Sequence, residues 1–346
     1  DIKNPARIAE FKQILKLAQK FTKEAYLPDI YMAGTMYADE ALEGIGGGIG
    51  NYMSYGDFRL DDTPFYEAAK LFPSGIVKNR DLSKVFEVDQ TKITEDVTHA
   101  WYEGKTNLHP YDGETKPNYT GFGKKEDNIA YLDTQNKYTW IKSPLHDDER
   151  MEVGPLARMI IGVAKGDERI SKYVTTFLKN GNLPIKVLFS TVGRTAARAI
   201  ETELMADVMM EWVDELALNV AHGDLSTWTE FNFDNVSANT QGYGMAEAPR
   251  GGLGHWVKIK DGKVENYQAV VPSTWNAAPR DYKGRLGAYE SSLIGTKVAN
   301  PDQPLEILRT VHSFDPCIAC AVHIIDTNGK ELGVYKVDPI GGTSRA

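Results

Sequence analysis

A chain of 346 residues with 42% apolar side chains has the length of one large or two ordinary domains and enough apolar surface for a sizeable core. Its 39 basic and 48 acidic residues leave a formal charge of -9, and with no Lys/Arg cluster interleaved with aromatics this excludes a nucleic-acid partner. No apolar run reaches the roughly 18 residues of a membrane span. No charged segment followed by an apolar one opens the chain, and a start at Asp1 rather than Met leads us to expect a fragment or a processed product.

Asn4 followed by Pro5 reads as an N-cap and first helical residue, after which Ile8, Phe11, Leu15, Ala18 and Phe21 recur at helical spacing. That helix is expected to end near Pro28. Gly44, Gly46, Gly47, Gly48 and Gly50 lack the Lys-Ser/Thr of a P-loop and the strand and acidic partner of a dinucleotide site, so a flexible or tightly packed loop is expected there. From Phe58 to about Trp140 the pattern shortens into runs such as Val85-Phe86-Glu87-Val88 and Tyr138-Thr139-Trp140-Ile141, broken by Gly, Pro, Asn and Asp, which predicts a mixed, loop-rich β region. His99 and His109 have no second ligand at metal spacing and read as surface or packing residues. The polar segment 107–127 is expected to be exposed.

Residues 155–164 and 171–178 read as helices, and the longest periodic segment follows at roughly 184–222. There Val192, Ala196, Ile200, Leu204, Val208, Trp212, Leu216 and Val220 recur every four residues, predicting a helix buried along most of its length. Arg194 and Arg198, one turn apart, favour ion pairs within the fold over anion binding. Met205, Met209 and Met210 read as core filler. Beyond Asp224 come loops and short strands, with a hairpin of 256–260 and 263–271 about Asp261-Gly262. The helical pattern returns from Asp281 towards Ile294 and at 305–311. The fold class is α+β, long buried helices forming a helical core with loop-rich β regions. Its divisions are a helical and Gly-rich segment 1–57, a mixed β region 58–150, a helical core with the site 151–323, and a tail 324–346.

Both cysteines of the chain lie in Asp315-Pro316-Cys317-Ile318-Ala319-Cys320-Ala321-Val322-His323. Thiols at i and i+3 can point at one metal ion. Zinc ribbons, dithiol redox centres and haem attachment also use C-x-x-C, so the pair alone is weak. A structural zinc would need a second Cys or His pair, which is absent; a c-type haem would need His where Ala321 stands; a thioredoxin-like dithiol would come early in a βαβ unit. A metal site therefore stands ahead of two buried structural thiols.

The same run, D-P-C-x-x-C-x-x-H, resembles at every fixed position the C-terminal signature of the large, catalytic subunit of nickel-iron hydrogenases. Four further blocks resemble that family in its order: Glu152-Val153-Gly154-Pro155-Leu156-Ala157-Arg158, Gly193-Arg194-Thr195-Ala196-Ala197-Arg198, Glu247-Ala248-Pro249-Arg250-Gly251 with Gly254, His255 and Trp256, and Val271-Pro272-Ser273-Thr274-Trp275-Asn276. The resemblance implies a hydrogenase large-subunit fold and reversible heterolytic cleavage of dihydrogen, a metal accepting hydride and a base the proton. Cys317 would be a terminal nickel ligand and Cys320 a bridge to an iron carrying cyanide and carbon monoxide, soft thiolates suiting both metals. Arg250, after Pro249, would cover the open face, with Asp315 pairing to it and Ser273 donating to cyanide. His323 would bind magnesium together with the carbonyl of Ala269. The second C-x-x-C expected near the family's N-terminus is absent, so the chain looks like the C-terminal three-fifths of a large subunit and cannot complete the centre alone. Leu145-His146 departs from the basic residue and aromatic expected after Lys142-Ser143-Pro144.

With no cysteine left for iron-sulfur clusters, a small subunit would carry the electrons, passing them in the respiratory uptake type to a cytochrome b on the periplasmic side of the membrane. Export would depend on the partner, and the precursor would be cytoplasmic. Nickel-insertion proteins and an endopeptidase cutting after His323 are further implied partners. The tail itself reads as a hairpin, 322–325 and 332–337 about Asp326-Thr327-Asn328-Gly329, consistent with an unprocessed precursor. A hydrogen-sensing regulatory subunit and a non-catalytic relative of the complex I quinone-site subunit are the rivals. The tail argues against the first, the cysteines against the second.

Overall fold

The computed structural model describes residues 4–121, 133–228, 232 and 236–317, and the backbone of 321–325, 331–338 and 342–345. Helix α1 (Pro5–Phe21) starts as its sequence requires, with Pro5 at its head and the Asn4 side chain accepting the Ala6 N–H. It does not stop near Pro28. The chain passes through a π-turn (Thr22–Tyr26), in which the Leu27 N–H reaches back to the Thr22 carbonyl, and continues as α2 (Leu27–Met36) with Pro28 in its first turn. The widened turn accommodates a ring that lacks an N–H and would clash in a regular helix interior. Helix α3 (Ala38–Glu43) ends on Gly44 in the left-handed conformation. The glycine run beyond it is of the tightly packed kind, since a Cβ on Gly46 would overlap the Thr191 side chain.

The next hundred residues make short antiparallel pairs. Strand β1 (Tyr52–Ser54) pairs with β4 (Gly75–Val77), β2 (Asp57–Arg59) with β3 (Lys70–Phe72), β5 (Ile93–Asp96) with β8 (Ser143–His146), and β6 (Tyr102–Glu103) with β7 (Lys116–Pro117). The alternating runs at 85–88 and 138–141 contribute only the isolated bridges Ile76–Phe86 and Ala100–Thr139. His99 and His109 bond to the carbonyls of Asn136 and Gln90, which are packing roles. Of the polar segment, Asp112, 114–117, Tyr119 and Thr120 are exposed, whereas 107–111 is half-buried with Pro110 buried, and 122–127 lies outside the described residues.

Helices α4 (Pro155–Ala164), α5 (Glu168–Asn180) and α6 (Thr191–Ala221) build the main core. α6 begins later than the pattern suggested. Its first turn is capped by Ser190, whose Oγ accepts the Gly193 N–H at 3.0 Å, and a 3-10 turn (Ile185–Leu188) precedes it. Its burial also ends early, at Val213, with Leu216 and Leu218 exposed. A strict four-residue repeat rotates by about 40° per step on a helix of 3.6 residues per turn, so the stripe winds out of the core. Ile160, Ile161, Ile170, Val174, Phe177, Ile200 and Leu204 fill this core, and Tyr52 on β1 closes it. The next residue, Met53, faces a second core of Ile93, Met151, Val153, Trp256, Val270 and Trp275, because neighbours on a strand point to opposite faces.

The second core is roofed by a three-stranded sheet, β9 (Thr240–Ala248), β10 (Gly251–Lys260) and β11 (Lys263–Val270). The β10–β11 hairpin is as expected; β9 is a nine-residue strand where loops and short strands were expected. Helix α7 (Pro272–Asn276) follows. Only α8 (Ala288–Leu293) forms in the stretch 281–294, because the Asp281 carboxylate accepts the N–H groups of Lys283 and Arg285 and closes a turn instead. Helix α9 (Leu305–His312) leads to the cysteine segment. The tail backbone forms a sheet of β12 (Ala321–Ile325), β13 (Glu331–Asp338) and β14 (Gly342–Arg345), one strand more than a hairpin. No described helix is long and apolar enough to cross a membrane.

Candidate functional site

Ala248 and Gly251 face each other at the end of the β9–β10 ladder, so Pro249 and Arg250 are the two residues of a tight turn. Gly251 has φ 131°, and a Cβ there would lie 2.5 Å from the Val153 side chain. Gly154 likewise has φ 124° and would place a Cβ 3.0 Å from the Arg250 carbonyl. Both positions need glycine for conformation and for space, and together they press the turn against the head of α4.

From that turn Arg250 reaches a segment 65 positions away. Its Nε donates to the Asp315 carbonyl at 2.9 Å and its Nη2 to Asp315 Oδ1 at 3.3 Å, with Oδ2 3.3 Å from Nε. Asp315 itself is left-handed, φ 55°, immediately before a proline. That is a strained backbone, held by its N–H to the His312 carbonyl and by the guanidinium. Phe314 anchors the turn from below, its ring centroid 4.7 Å from that of Tyr289 and 3.8 Å from the Arg194 guanidinium. Arg194 in turn grips the buried Glu152 through two bonds, of 2.7 and 2.9 Å. Arg198 donates to the Ser313 carbonyl at 2.8 Å, so of the two arginines of α6 Arg194 makes the expected ion pair and Arg198 instead holds backbone. The Cys317 N–H reaches Ser273 Oγ at 3.3 Å, and the cysteine side chain is exposed. Burial, then the charge of Asp315, pushes the Tyr289 hydroxyl well above the usual tyrosine range.

The structure thus brings Pro249, Arg250, Ser273, Asp315 and Cys317 together. Ala269 lies on β11 opposite His255 and is exposed. Cys320 is outside the described residues, and of His323 only the backbone, opposite Val334 on β12, is described. Among the described residues no cluster of three or more His, Cys, Asp or Glu could hold a metal ion. The donors present nevertheless fit one half of a soft-metal centre: an exposed thiol, a fixed guanidinium, and a hydroxyl that accepts the N–H of the thiol's own residue. Leu145 and His146, where the sequence departs from the family, are both buried on β8, and His146 Nε2 accepts the Asp89 N–H at 3.0 Å. Two residues escaped the sequence reading, Phe314 and Tyr289. The only signal for the first was an aromatic directly preceding the D-P-C run.

A model of the nickel-dependent hydrogenase family matches residues 1–323, and the chain belongs to that family. It is 44% identical to the quinone-reactive Ni/Fe-hydrogenase large chain of Wolinella succinogenes, over 98% of this chain and 59% of the relative. It is 42% identical to the uptake hydrogenase large subunit of Rhodobacter capsulatus, over 96% and 58%. Among solved structures it is similar to the [NiFeSe] hydrogenase of Desulfovibrio vulgaris Hildenborough, in its G50T variant, with TM-score 0.72 and 30% identity over 90% of this chain and 60% of that one. The enzyme of Desulfomicrobium baculatum matches with TM-score 0.70 and 32% identity, over 90% and 59%. The chain therefore spans about three-fifths of the length of the relatives it matches.

Proposed function

We propose that this chain supplies the C-terminal half of the catalytic centre of an uptake nickel-iron hydrogenase, which oxidises dihydrogen and passes electrons to an iron-sulfur small subunit. The observation that carries the reading is the junction of Arg250, Asp315, Ser273 and Cys317, contributed by three separate stretches of sequence. When bound, a nickel-iron centre with cyanide and carbon monoxide on iron supplies the Lewis-acidic, electron-accepting chemistry that splits dihydrogen heterolytically. Cys317 and Cys320 would hold it, with two further thiolates from an upstream segment of the longer protein. Arg250, its plane fixed by Asp315, sets a permanent positive charge at the rim. Ser273 would donate to an anionic ligand of the iron, and His323 with the Ala269 carbonyl would bind magnesium. The quinone-reactive and uptake names of the relatives fit a membrane-associated enzyme on the periplasmic side; export with the small subunit and electron transfer to a cytochrome b complete the proposal. In the assembled enzyme, Arg250→Lys keeps the charge but loses the fork, so turnover should fall at least tenfold with nickel retained. Unchanged turnover would remove Arg250 from the site.

The tail is read as a maturation segment, removed after His323 by an endopeptidase once nickel-insertion proteins have loaded the site. The family match ending at 323 supports this. Intact-mass measurement tests it: fully active enzyme with full nickel that still carries Ala346 would overturn the reading.

A further inference from the structure

Arg158, on α4, is 1% exposed and makes five hydrogen bonds. Its Nε and Nη2 donate to the two oxygens of Glu201 at 2.7 and 2.6 Å, and Nη1 donates to Glu247 Oε2 at 2.7 Å. The remaining two bonds go to the carbonyls of Ala248, at 3.0 Å, and Pro249, at 2.8 Å. A guanidinium has five N–H donors, so every one is spent on the protein and none is left for a ligand. The two carbonyls it takes are those of the residues immediately before Arg250. Pro249 has no N–H, so this residue of the turn can be held by the backbone only through its carbonyl. Glu247 is itself fixed, its Oε1 accepting the Tyr55 N–H at 2.7 Å and its own N–H donating to Asp57 at 2.8 Å.

We infer that Arg158 is a positioning residue of this site, acting on the reaction only through Arg250 by pinning the Ala248 and Pro249 carbonyls from beneath the turn. The inference rests on the proposed function, because it needs Arg250 to face the reacting centre. Lysine at 158 keeps the charge but has three donors on one atom, which cannot span two carboxylates and two carbonyls in the plane of a fork. The turn then shifts, and a misplacement of about 1 Å costs on the order of a hundredfold in rate.

The experiment is a double-mutant cycle in the assembled enzyme, with Arg158→Lys, Arg250→Lys and the pair, measuring kcat, KM, nickel content and amide exchange of residues 250–254. Arg158→Lys should lower kcat by about tenfold to a hundredfold with KM and nickel unchanged, and should speed amide exchange in the turn. The pair should be no slower than Arg250→Lys alone, since a residue acting only through another adds nothing once that other is altered. If Arg158→Lys fails to fold, Glu201→Gln removes one charge and one acceptor from the same clamp, and the same non-additivity is expected with a fall of about threefold to tenfold, the worth of one hydrogen bond. Multiplying effects, or a fall that tracks nickel loss, would overturn the inference and leave the proposed function standing. No effect of Arg250→Lys would overturn both.

Discussion

Arg194→Met tests whether the cysteine turn is held by a buried ion pair. In the folded chain the guanidinium makes bonds of 2.7 and 2.9 Å to Glu152 and one of 2.5 Å to the Gly46 carbonyl, and it lies 3.8 Å from the centre of the Phe314 ring. Arg194 and Glu152 are 2% and 1% exposed, so removing one partner strands a carboxylate in the core. Such a loss costs about 3–5 kcal/mol, and a desolvated cation–π contact about 2 more. These contributions share one side chain and do not simply add, so the expected destabilisation is about 4–6 kcal/mol, a large part of a typical domain's stability. Urea unfolding of the chain followed by far-ultraviolet circular dichroism gives the number. The control is Arg194→Met with Glu152→Leu, which removes both charges and should recover most of the loss, because apolar replacement of a whole buried pair is often neutral. A single variant within about 1 kcal/mol of the parent, less than the low end of the range for a broken buried pair, would refute the reasoning.

Two further outcomes are expected. Cys317→Ser in the assembled enzyme should lose nickel, since a hard hydroxyl is a poor substitute for thiolate; elemental analysis showing full nickel would remove Cys317 from the ligand set. His146 is buried, and burial lowers its pKa below the ordinary histidine value. A lowered folded-state pKa means that the unfolded chain binds the proton first, so stability is complete above about pH 6.5 and falls as pH drops below it. Lys92 and Lys78 add to the lowering, while Asp147 and Asp89 oppose it. His146→Gln should flatten this acid limb in urea midpoints; an unchanged slope would show that other groups set it.

What the sequence made legible follows from how local each feature is. The N-cap of α1, the Asp261-Gly262 hairpin and the extent of α4 depend on neighbours in the chain, and the structure has them where they were expected. The π-turn that carries the first helix past Pro28 leaves no compositional trace, because it depends on one carbonyl finding an N–H five residues on. Strand β9 contains Gly242 and Gly244 and shows no alternation; it is a strand because β10 pairs with it along its whole length. At the site, spacing could identify a thiol pair and nothing more. Arg250, Ser273 and Asp315 came from resemblance, and their meeting depends on tertiary packing. Phe314 and Tyr289 were missed because an aromatic in a helical or loop pattern carries no mark of what it lies against.

The side chains packed under the site are charged as well as buried. The main core is aliphatic and aromatic, yet the side chains of Glu152, Arg158, Arg194 and Glu247 are buried beside it, Arg158 bonded to the Pro249 carbonyl and Arg194 packed on Phe314. Ion pairs in such positions are weak evidence for stability, because hydrophobic replacements often do as well. Apolar contacts have no direction, whereas three of these ions are tied to a backbone carbonyl or N–H, Arg194 to Gly46, Arg158 to Ala248 and Pro249, Glu247 to Tyr55, and Glu152 holds Arg194 in place. The ions therefore fix where the chain runs. Two adjoining turns, one with a left-handed aspartate before proline and one with a proline that offers no N–H, have few other means of being held in register.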